Sequence, residues 1–262
     1  MRNGVSDELK NTIIKLMECP LLSTFNLGGG TNLSIKYNHR ESIDIDLFTS
    51  TVLHIDELEQ IINFVNKNIS TNIKIVKRNF GNKTQPYSPN AMLEIVCPEQ
   101  ETKIDFIQNL QLLNKPETID GIRLIHDDDI GALKLLAAAN RGSQKDFYDL
   151  FLLTNKKPLE HYYELLMERQ KKFAEYKTIF DELSTKPLTK LEKDISSLCD
   201  FNNANDLAKQ GNQIILTTNS PIKENWFTIK QTWKKRVKQL AENKNLILNE
   251  IPNKAIKRGF KF

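Results

Sequence analysis

Hydrophobic residues in the first part of the chain recur with both the helical and the strand period. Apolar positions three or four apart predict helices, and alternating or short continuous apolar runs predict strands. The predicted helices are Ser6 to Met17, Thr31 to Asn38 and Ile55 to Asn66. The predicted strands are Thr24 to Leu27, Ser42 to Phe48, Ile73 to Arg78, Ala91 to Cys97 and Thr102 to Ile107. We expect the last two to form a hairpin through the turn at residues 98–101.

The pattern changes after Gly121, where the periodic segments become helical. The predicted helices are Asp129 to Arg141, Lys145 to Thr154, His161 to Tyr176, Leu188 to Cys199, Asn203 to Gln210 and Phe227 to Asn243. This layout predicts an α+β protein in two parts. Residues 1–120 would form a mixed sheet with flanking helices, and residues 121–262 a helical domain, with a soft boundary between Asn114 and Asp129.

Composition narrows the class of protein. The chain has 262 residues and 39% hydrophobic residues, which is enough for a core. No apolar run approaches the ~20 residues of a membrane span, and the polar N-terminus predicts no signal peptide. Cys19, Cys97 and Cys199 lie far apart. We therefore expect a reduced, cytoplasmic protein that has no membrane contact, no disulfide framework and no zinc site.

Positive charge is concentrated at the C-terminal end of the chain. The formal net charge is +4, but residues 223–262 hold eleven Lys and Arg against three acidic residues. Such a segment suits a polyanionic partner, and a solvated helix face is the alternative. Trp226, Ile229, Trp233 and Val237 recur at helical spacing, which predicts that they are buried and that the lysines between them are exposed.

The most informative chemistry is the pair of carboxylates in Asp44-Ile45-Asp46. In a strand, Asp44 and Asp46 share one face and Ile45 takes the other. Adjacent carboxylates repel one another unless a cation compensates them, and oxygen ligands suit Mg²⁺ or Mn²⁺. Upstream, Gly28-Gly29-Gly30 lets a backbone approach a triphosphate. A strand-to-helix turn that needs positive φ is the structural alternative for these glycines.

A third carboxylate, Asp105, interrupts an apolar strand whose Ile104 and Phe106 share the opposite face. If this strand lies beside that of Asp44 and Asp46, three carboxylates converge and could hold two divalent ions, as in nucleotidyl transfer. Asp44 and Asp46 would hold the triphosphate metal. Asp105 would help to hold the second and activate an attacking hydroxyl. The alternative is an Asp that faces solvent at a strand end.

Two stretches of the sequence together resemble a known family. Gly29-Gly30-Thr31 followed by His39-Arg40-x-Ser42-x-Asp44-Ile45-Asp46-Leu47-Phe48 looks like the first motif of the AbiEii/AbiGii toxins. The run from Asp129 to Leu135, and then Arg141-Gly142-x-x-Lys145-Asp146-x-x-Asp149-Leu150, resembles the later motifs. The likeness covers roughly Leu22 to Leu153. It implies a DNA polymerase β-like nucleotidyltransferase core, in which the helical part completes the active site.

The resemblance also implies roles for individual residues. Gly30 and Thr31, with Gly29 beside them, would contact the β- and γ-phosphates. Asp44 and Asp46 would bind the metals, Lys134 would contact the triphosphate, and Asp146 would belong to the active site. The family resemblance further implies a toxin-type enzyme, usually encoded beside an antitoxin, and some relatives add nucleotides to the 3′ end of tRNA.

Three of these residues have open alternatives on the sequence alone. Arg40 could lie in a surface turn with His39, pair with Asp44 or Asp46, or reach a phosphate. Lys134 could extend to water from an apolar helix. Asp146 could simply start a helix, because Ser143-x-x-Asp146 has the spacing of a capping box.

The sequence therefore predicts an enzyme that transfers a nucleoside monophosphate from a nucleoside triphosphate to a hydroxyl, with an RNA 3′ end such as that of tRNA as the expected acceptor. One alternative is nucleotidylation of a protein or small molecule by the same site. The other, from a different class, is a non-catalytic nucleotide-binding module that acts through a partner protein.

Overall fold

The computed structural model describes residues 3–176, 178–180, 191–204 and 213–251. The α-helices of this part are α1 (Asp7–Glu18), α2 (Gly29–Tyr37), α3 (Ile55–Asn68), α4 (Asp127–Asn140), α5 (Gln144–Thr154), α6 (Leu159–Lys172) and α7 (Trp226–Lys244). The strands are β1 (Asn26–Leu27), β2 (Ile45–Phe48), β3 (Lys74–Arg78), β4 (Met92–Cys97), β5 (Thr102–Ile107), β6 (Glu117–Ile119) and β7 (Ile122–Leu124).

The strands form one mixed sheet in the order β3-β4-β5-β2-β1-β7-β6. β2 pairs with β5 in parallel, as β1 does with β7, and the other neighbours are antiparallel. β2 lies near the middle, so side chains on its open face are surrounded by neighbouring strands. This mixed sheet with flanking helices confirms the predicted α+β fold class.

The sheet separates two apolar cores. On one face, Ile45, Leu47, Ile104 and Phe106 pack with apolar residues of α1 and α3. On the other face, a second core contains Phe48 and Ile107 together with the buried side chains of α4, α5, α6 and α7. Since side chains alternate along a strand, the acidic residues between those apolar positions face the helical layer.

Most predicted elements are present, with ends that differ by a few residues. β2 begins only at Ile45, so Asp44 lies just before the strand rather than within it. The predicted Pro98 hairpin is confirmed by the antiparallel pairing of β4 and β5, joined by a 3₁₀ turn. The hairpin of β6 and β7 was not predicted. The boundary expected after residue 120 falls in its turn, so the sheet continues to Leu124.

The helical prediction for Leu188 to Cys199 is wrong over its described part. Residues 191–193 form a turn, Asp194 makes a β-bridge to Ile247, and Ser196–Cys199 forms a 3₁₀ helix. Residues 188–190, most of the helix predicted from Asn203 to Gln210, and the last four basic residues of the tail lie outside the described residues. The division into two domains therefore stays a prediction.

Helix α7 carries the aromatic and basic residues of the C-terminal segment. Ile229, Trp233 and Val237 are buried, as predicted, and Trp226 is half-buried in a stack with Tyr148. Phe227 is the exception, with 67% of its surface exposed. Several lysines lie on the outer face of the helix: Lys234, Lys235 and Lys238 are exposed and Lys230 is half-buried. Within the described chain, no helix has both the length and the apolar character to cross a membrane.

Arg123 on β7 ties the N-terminal region to the sheet. Its guanidinium donates to the carbonyls of Phe25 at 2.9 Å, Met17 at 3.0 Å and Leu22 at 2.8 Å. Burial lowers the pKa of this group, but the three hydrogen bonds use the charged, fork-shaped donor that only arginine supplies. This side chain explains why an otherwise short strand is firmly joined to the end of α1.

We expect Arg123→Met to lower the free energy of unfolding by about 2–4 kcal/mol, because it removes three hydrogen bonds from a charged donor. Urea denaturation measures the change. Arg78→Met is the control, since Arg78 lies exposed on the edge strand β3. Equal losses in both variants would contradict the assignment of Arg123 as a structural tie.

Candidate active site

The glycine turn between β1 and α2 lies directly against Asp46. The backbone N–H of Gly28 donates to the carbonyl of Asp46 at 2.8 Å. Gly29 has φ +63°, and a Cβ at this position would overlap the Asp46 carboxylate. A Cβ at Gly30 would overlap the guanidinium of Arg40. The structural alternative is therefore confirmed at Gly29, where the turn needs positive φ, and the backbone also approaches two charged side chains closely. Contact of these glycines with a triphosphate stays a prediction.

The parallel pairing of β2 and β5 sets Asp46 directly beside Asp105. Asp44 lies two residues before Asp46, at the start of the strand. On the far side of β5, the antiparallel register places Glu94 of β4 opposite Asp105. Acidic residues therefore occupy matching positions on three neighbouring strands, on the face that looks toward the helical layer.

These carboxylates lie in a strongly negative environment. Burial, the neighbouring Asp46 and the charge of Glu94 raise the pKa of Asp105 to about 6, although Lys103, with Nζ 2.5 Å from Oδ2, opposes the shift. Burial and the charge of Asp44 likewise raise the pKa of Asp46. Both carboxyls are therefore short of compensating positive charge.

The donor set fits a hard divalent cation. Oδ1 of Asp105 is buried and has no hydrogen-bond partner among the described residues, and carboxylate oxygens are the ligands that Mg²⁺ and Mn²⁺ prefer. In the described parts of the chain, no three His, Cys, Asp or Glu side chains gather closely enough to hold a metal as they stand. Lys103 binds the other oxygen of Asp105 and neutralises part of the charge that an ion would neutralise.

Asp149 on α5 is the centre of a buried ionic network beside these acids. Its carboxylate accepts from Arg40 through Nε at 2.7 Å and Nη2 at 2.9 Å. His39 Nε2 lies 2.7 Å from the same carboxylate, and Lys134 Nζ lies 2.7 Å from Oδ2. Burial lowers the pKa of His39, so we assign a neutral imidazole that donates to Asp149.

Asp146, one turn before Asp149, forms the second half of the network. Arg141 donates to it through Nε and Nη2, each at 2.7 Å, and Ser143 Oγ donates to Oδ2 at 2.7 Å. Lys134 Nζ lies 3.1 Å from Oδ1. Ser143 is also the N-cap of α5. Asp146 therefore lies in the first turn of a helix that Ser143 caps and also belongs to the charged cluster. Its role in the active site stays a prediction.

The network holds Asp146 and Asp149 in their ionised forms. Burial alone would raise the pKa of both carboxyls. For Asp146, the charges of Arg141 and Lys134 outweigh burial and lower the pKa. For Asp149, Arg40 and Lys134 do the same, and the pKa lies well below its usual value. Three cations face two carboxylates here, which leaves a positive balance beside the open acids of β2 and β5.

Arg40 and Thr31 differ from their expected positions. His39 and Arg40 are buried rather than in a surface turn, and Arg40 pairs with Asp149 rather than with Asp44 or Asp46. The Thr31 hydroxyl is also buried; it donates to the Asp44 carbonyl and lies 2.8 Å from Ser42 Oγ. Both side chains thus hold the loop that leads to Asp44.

A segment from the distant C-terminal part braces the same loop. Glu41 N–H donates to the Ile215 carbonyl at 2.8 Å, and residues 40 and 216 form a β-bridge. Ser220 Oγ donates to the His39 carbonyl at 2.6 Å, and Thr217 Oγ1 donates to the carbonyl of Asn38. The backbone before Asp44 is therefore fixed by residues about 180 positions away, which no local pattern predicts.

Three site residues were not identified from the sequence. Lys103 lies two residues before Asp105 on the same face of the strand, and Asp149 follows Asp146 by one helical turn. Both spacings can be read from the sequence. The ammonium of Lys145 has no hydrogen bond or ion pair within the described chain. Burial lowers its pKa, and the charge of Asp44 opposes this with a smaller effect.

Comparison with known proteins agrees with this geometry. Residues 15–246 match the family model described as nucleotidyl transferase AbiEii toxin, type IV toxin–antitoxin system. An uncharacterised protein of Aquifex aeolicus is 32% identical over 152 residues, which are 57% of this chain and 66% of that protein. The chain thus spans slightly less than two thirds of that curated relative.

Solved structures show the same fold. The nucleotidyltransferase toxin MenT4 of Mycobacterium tuberculosis superimposes with a TM-score of 0.52 at 14% identity, over 89% of this chain and 83% of that one. The protein JHP933 of Helicobacter pylori matches with a TM-score of 0.44 at 17% identity, over 91% of each chain. The MenT4 superposition therefore shows the polymerase β-like nucleotidyltransferase fold, as predicted. With the family model matched over most of its length, the chain belongs to the AbiEii nucleotidyl transferase toxin family of type IV toxin–antitoxin systems and is a nucleotidyltransferase of that family.

Proposed function

We propose that this protein transfers a nucleoside monophosphate from a nucleoside triphosphate to a hydroxyl group of RNA, with the 3′ end of tRNA as the acceptor. The observation that carries the proposal is the register of β2 and β5, which sets Asp46 beside Asp105 next to the glycine turn. The first turn of α2 contains no acidic residue, so its N-terminus favours a phosphate at that position.

The proposed reaction is an in-line displacement. The acceptor oxygen bonds to the α-phosphorus, the bond from that phosphorus to the bridging oxygen breaks, and pyrophosphate leaves. Asp105 accepts the hydroxyl proton through its free Oδ1. Asp44, Asp46 and Asp105 would hold Mg²⁺ or Mn²⁺, which when bound neutralises the triphosphate and lowers the pKa of the attacking hydroxyl.

The outer face of α7 supports an RNA acceptor. Lys234 and Lys235 are exposed, and the first turn of the helix packs on α5 through Trp226 and Tyr148. Helix α5 also carries Asp146 and Asp149. It therefore connects the basic face of α7 with the candidate site. A cognate antitoxin is the further partner we propose from the family description.

The decisive experiment supplies each labelled nucleoside triphosphate, Mg²⁺ and total RNA. We expect label on RNA of tRNA size, and a loss of about 100-fold or more in Asp46→Asn and Asp105→Asn, because each removes a carboxylate that the reaction uses. Glu99→Gln is the control, since Glu99 is an exposed acid in the turn before β5.

Other outcomes of this experiment separate the competing functions. If the label appears on protein or on a small molecule and is lost in the same two variants, RNA is not the acceptor, but the proposed nucleotidyl transfer by this site still holds. Tight nucleotide binding without transfer to any acceptor would favour a binding module that acts through a partner protein.

The pH dependence of transfer tests the role of Asp105. A raised pKa of about 6 means that the carboxylate is ionised above pH 6 and protonated below it. We therefore expect the single-turnover rate to fall by about tenfold per pH unit below pH 6. Lys103 lowers this pKa, so Lys103→Met should move the acid limb to higher pH. A limb that stays in place would show that another group controls it.

Salt dependence tests the RNA-binding role of α7. We expect Lys234→Glu combined with Lys235→Glu to weaken RNA binding and reduce the slope of log affinity against log salt by about one to two. Arg236 is left unchanged, because it donates to Thr154 at 2.6 Å and Asn155 at 2.5 Å. The control replaces Lys74 and Arg78 on β3 with Glu. An unchanged slope in the α7 variant would show that its lysines form a solvated face that does not contact RNA.

A further inference from the structure

The two cations first expected to contact the nucleotide are already matched by buried carboxylates. Lys134 Nζ lies between Asp146 and Asp149, at 3.1 and 2.7 Å. Arg40 donates to both oxygens of Asp149 and, through Nη1, to the Glu41 carbonyl at 3.0 Å. To bind a phosphate, either side chain would have to give up a contact with a buried carboxylate, which is unfavourable.

Lys145 is in the opposite situation. It lies in the first turn of α5, half-buried, and its ammonium makes no hydrogen bond or ion pair with any described residue. The charged groups that act on it are Asp44, which attracts the ammonium, and Arg40, Lys134 and Arg141, which repel it. A partly desolvated amine among three cations and one acid lacks a counter-ion of its own.

The backbone at Lys145 is nevertheless held in place. Ser143 caps the helix that contains it, and the next residue, Asp146, is bound by Arg141, Lys134 and Ser143. The amine is thus carried by a rigid turn, within reach of the charges of Asp44 and of the positive network. An anionic ligand bound here would neutralise the charge of the ammonium, and little free energy would be spent on ordering the backbone of the protein.

We propose that Lys145, rather than Lys134, is the lysine that binds the polyphosphate of the nucleotide, and that Lys134 positions Asp146 and Asp149. The proposal rests on the proposed nucleotide chemistry but not on the identity of the acceptor. In it, the Lys145 ammonium donates to a non-bridging oxygen of the β- or γ-phosphate, so the leaving pyrophosphate is held on the side of α5.

The test measures binding and stability separately from transfer. Calorimetry with Mg²⁺ and inorganic tripolyphosphate avoids the question of which base is preferred; the four nucleoside triphosphates and their monophosphates follow. We expect Lys145→Met to weaken tripolyphosphate and triphosphate binding by about 10- to 100-fold, as for loss of a hydrogen bond to a charged group. Monophosphate binding and the thermal midpoint should be unchanged, and Lys145→Arg should restore part of the affinity.

The matched variant Lys134→Met should behave differently. It removes the cation that Asp146 and Asp149 share and leaves each buried carboxylate with one cation, Arg141 or Arg40. We therefore expect a clearly lower thermal midpoint, whereas Lys74→Met on β3 should change neither property. Unaltered tripolyphosphate affinity in Lys145→Met would overturn the assignment, and so would an equal loss for monophosphates and triphosphates. If the wild type binds triphosphates through Lys145 but transfers nothing, the proposed function fails while this assignment stands.

Discussion

The ion pair between Arg40 and Asp149 is the interaction on which the rest of the site depends. It joins the loop before β2 to helix α5, across 109 positions of sequence. Both groups are buried, and loss of one partner of a buried pair typically costs about 3–5 kcal/mol. Removal of Asp149 would leave Arg40 without a carboxylate, whereas removal of Arg40 would leave Asp149 with Lys134 as its remaining cation. The same guanidinium lies against Gly30. One pair therefore fixes the loop, the glycine turn and the helix relative to one another.

The open carboxylates have the opposite effect on stability. The pKa of Asp105 is about 6 in the folded protein against 3.8 in a model peptide. The folded state therefore binds more protons than the unfolded chain between about pH 4 and pH 6. Stability contributed by the protonated form is lost as the pH rises through that window. At neutral pH, the ionised carboxylate of Asp105 lowers the stability of the fold, and a bound cation would offset this loss. A buried carboxyl with a raised pKa is the pattern expected of a functional residue.

Sequence patterns were sufficient for elements whose signal is local. The strands of Asp46 and Asp105 followed from acids among apolar residues, and the Trp233 face of α7 from its helical spacing. That these two strands are neighbours was a conditional expectation, because the order of strands depends on contacts between distant segments. The partner of Arg40 could not be found this way, because it is set by tertiary packing between a loop and a helix far along the chain. The hairpin of β6 and β7 was missed since three-residue strands carry too few positions to show a period.

The charged residues of the site fall into two groups with opposite surroundings. On the sheet, Asp44, Asp46 and Asp105 gather negative charge that Lys103 only partly offsets. Around α4 and α5, the three cations Lys134, Arg141 and Arg40 exceed the two carboxylates of Asp146 and Asp149. A triphosphate with its metal has the complementary arrangement, since the metal is positive and the phosphates beyond it are negative. In the proposed function, one such ligand would contact both groups while the buried pairs that hold α5 in place stay intact.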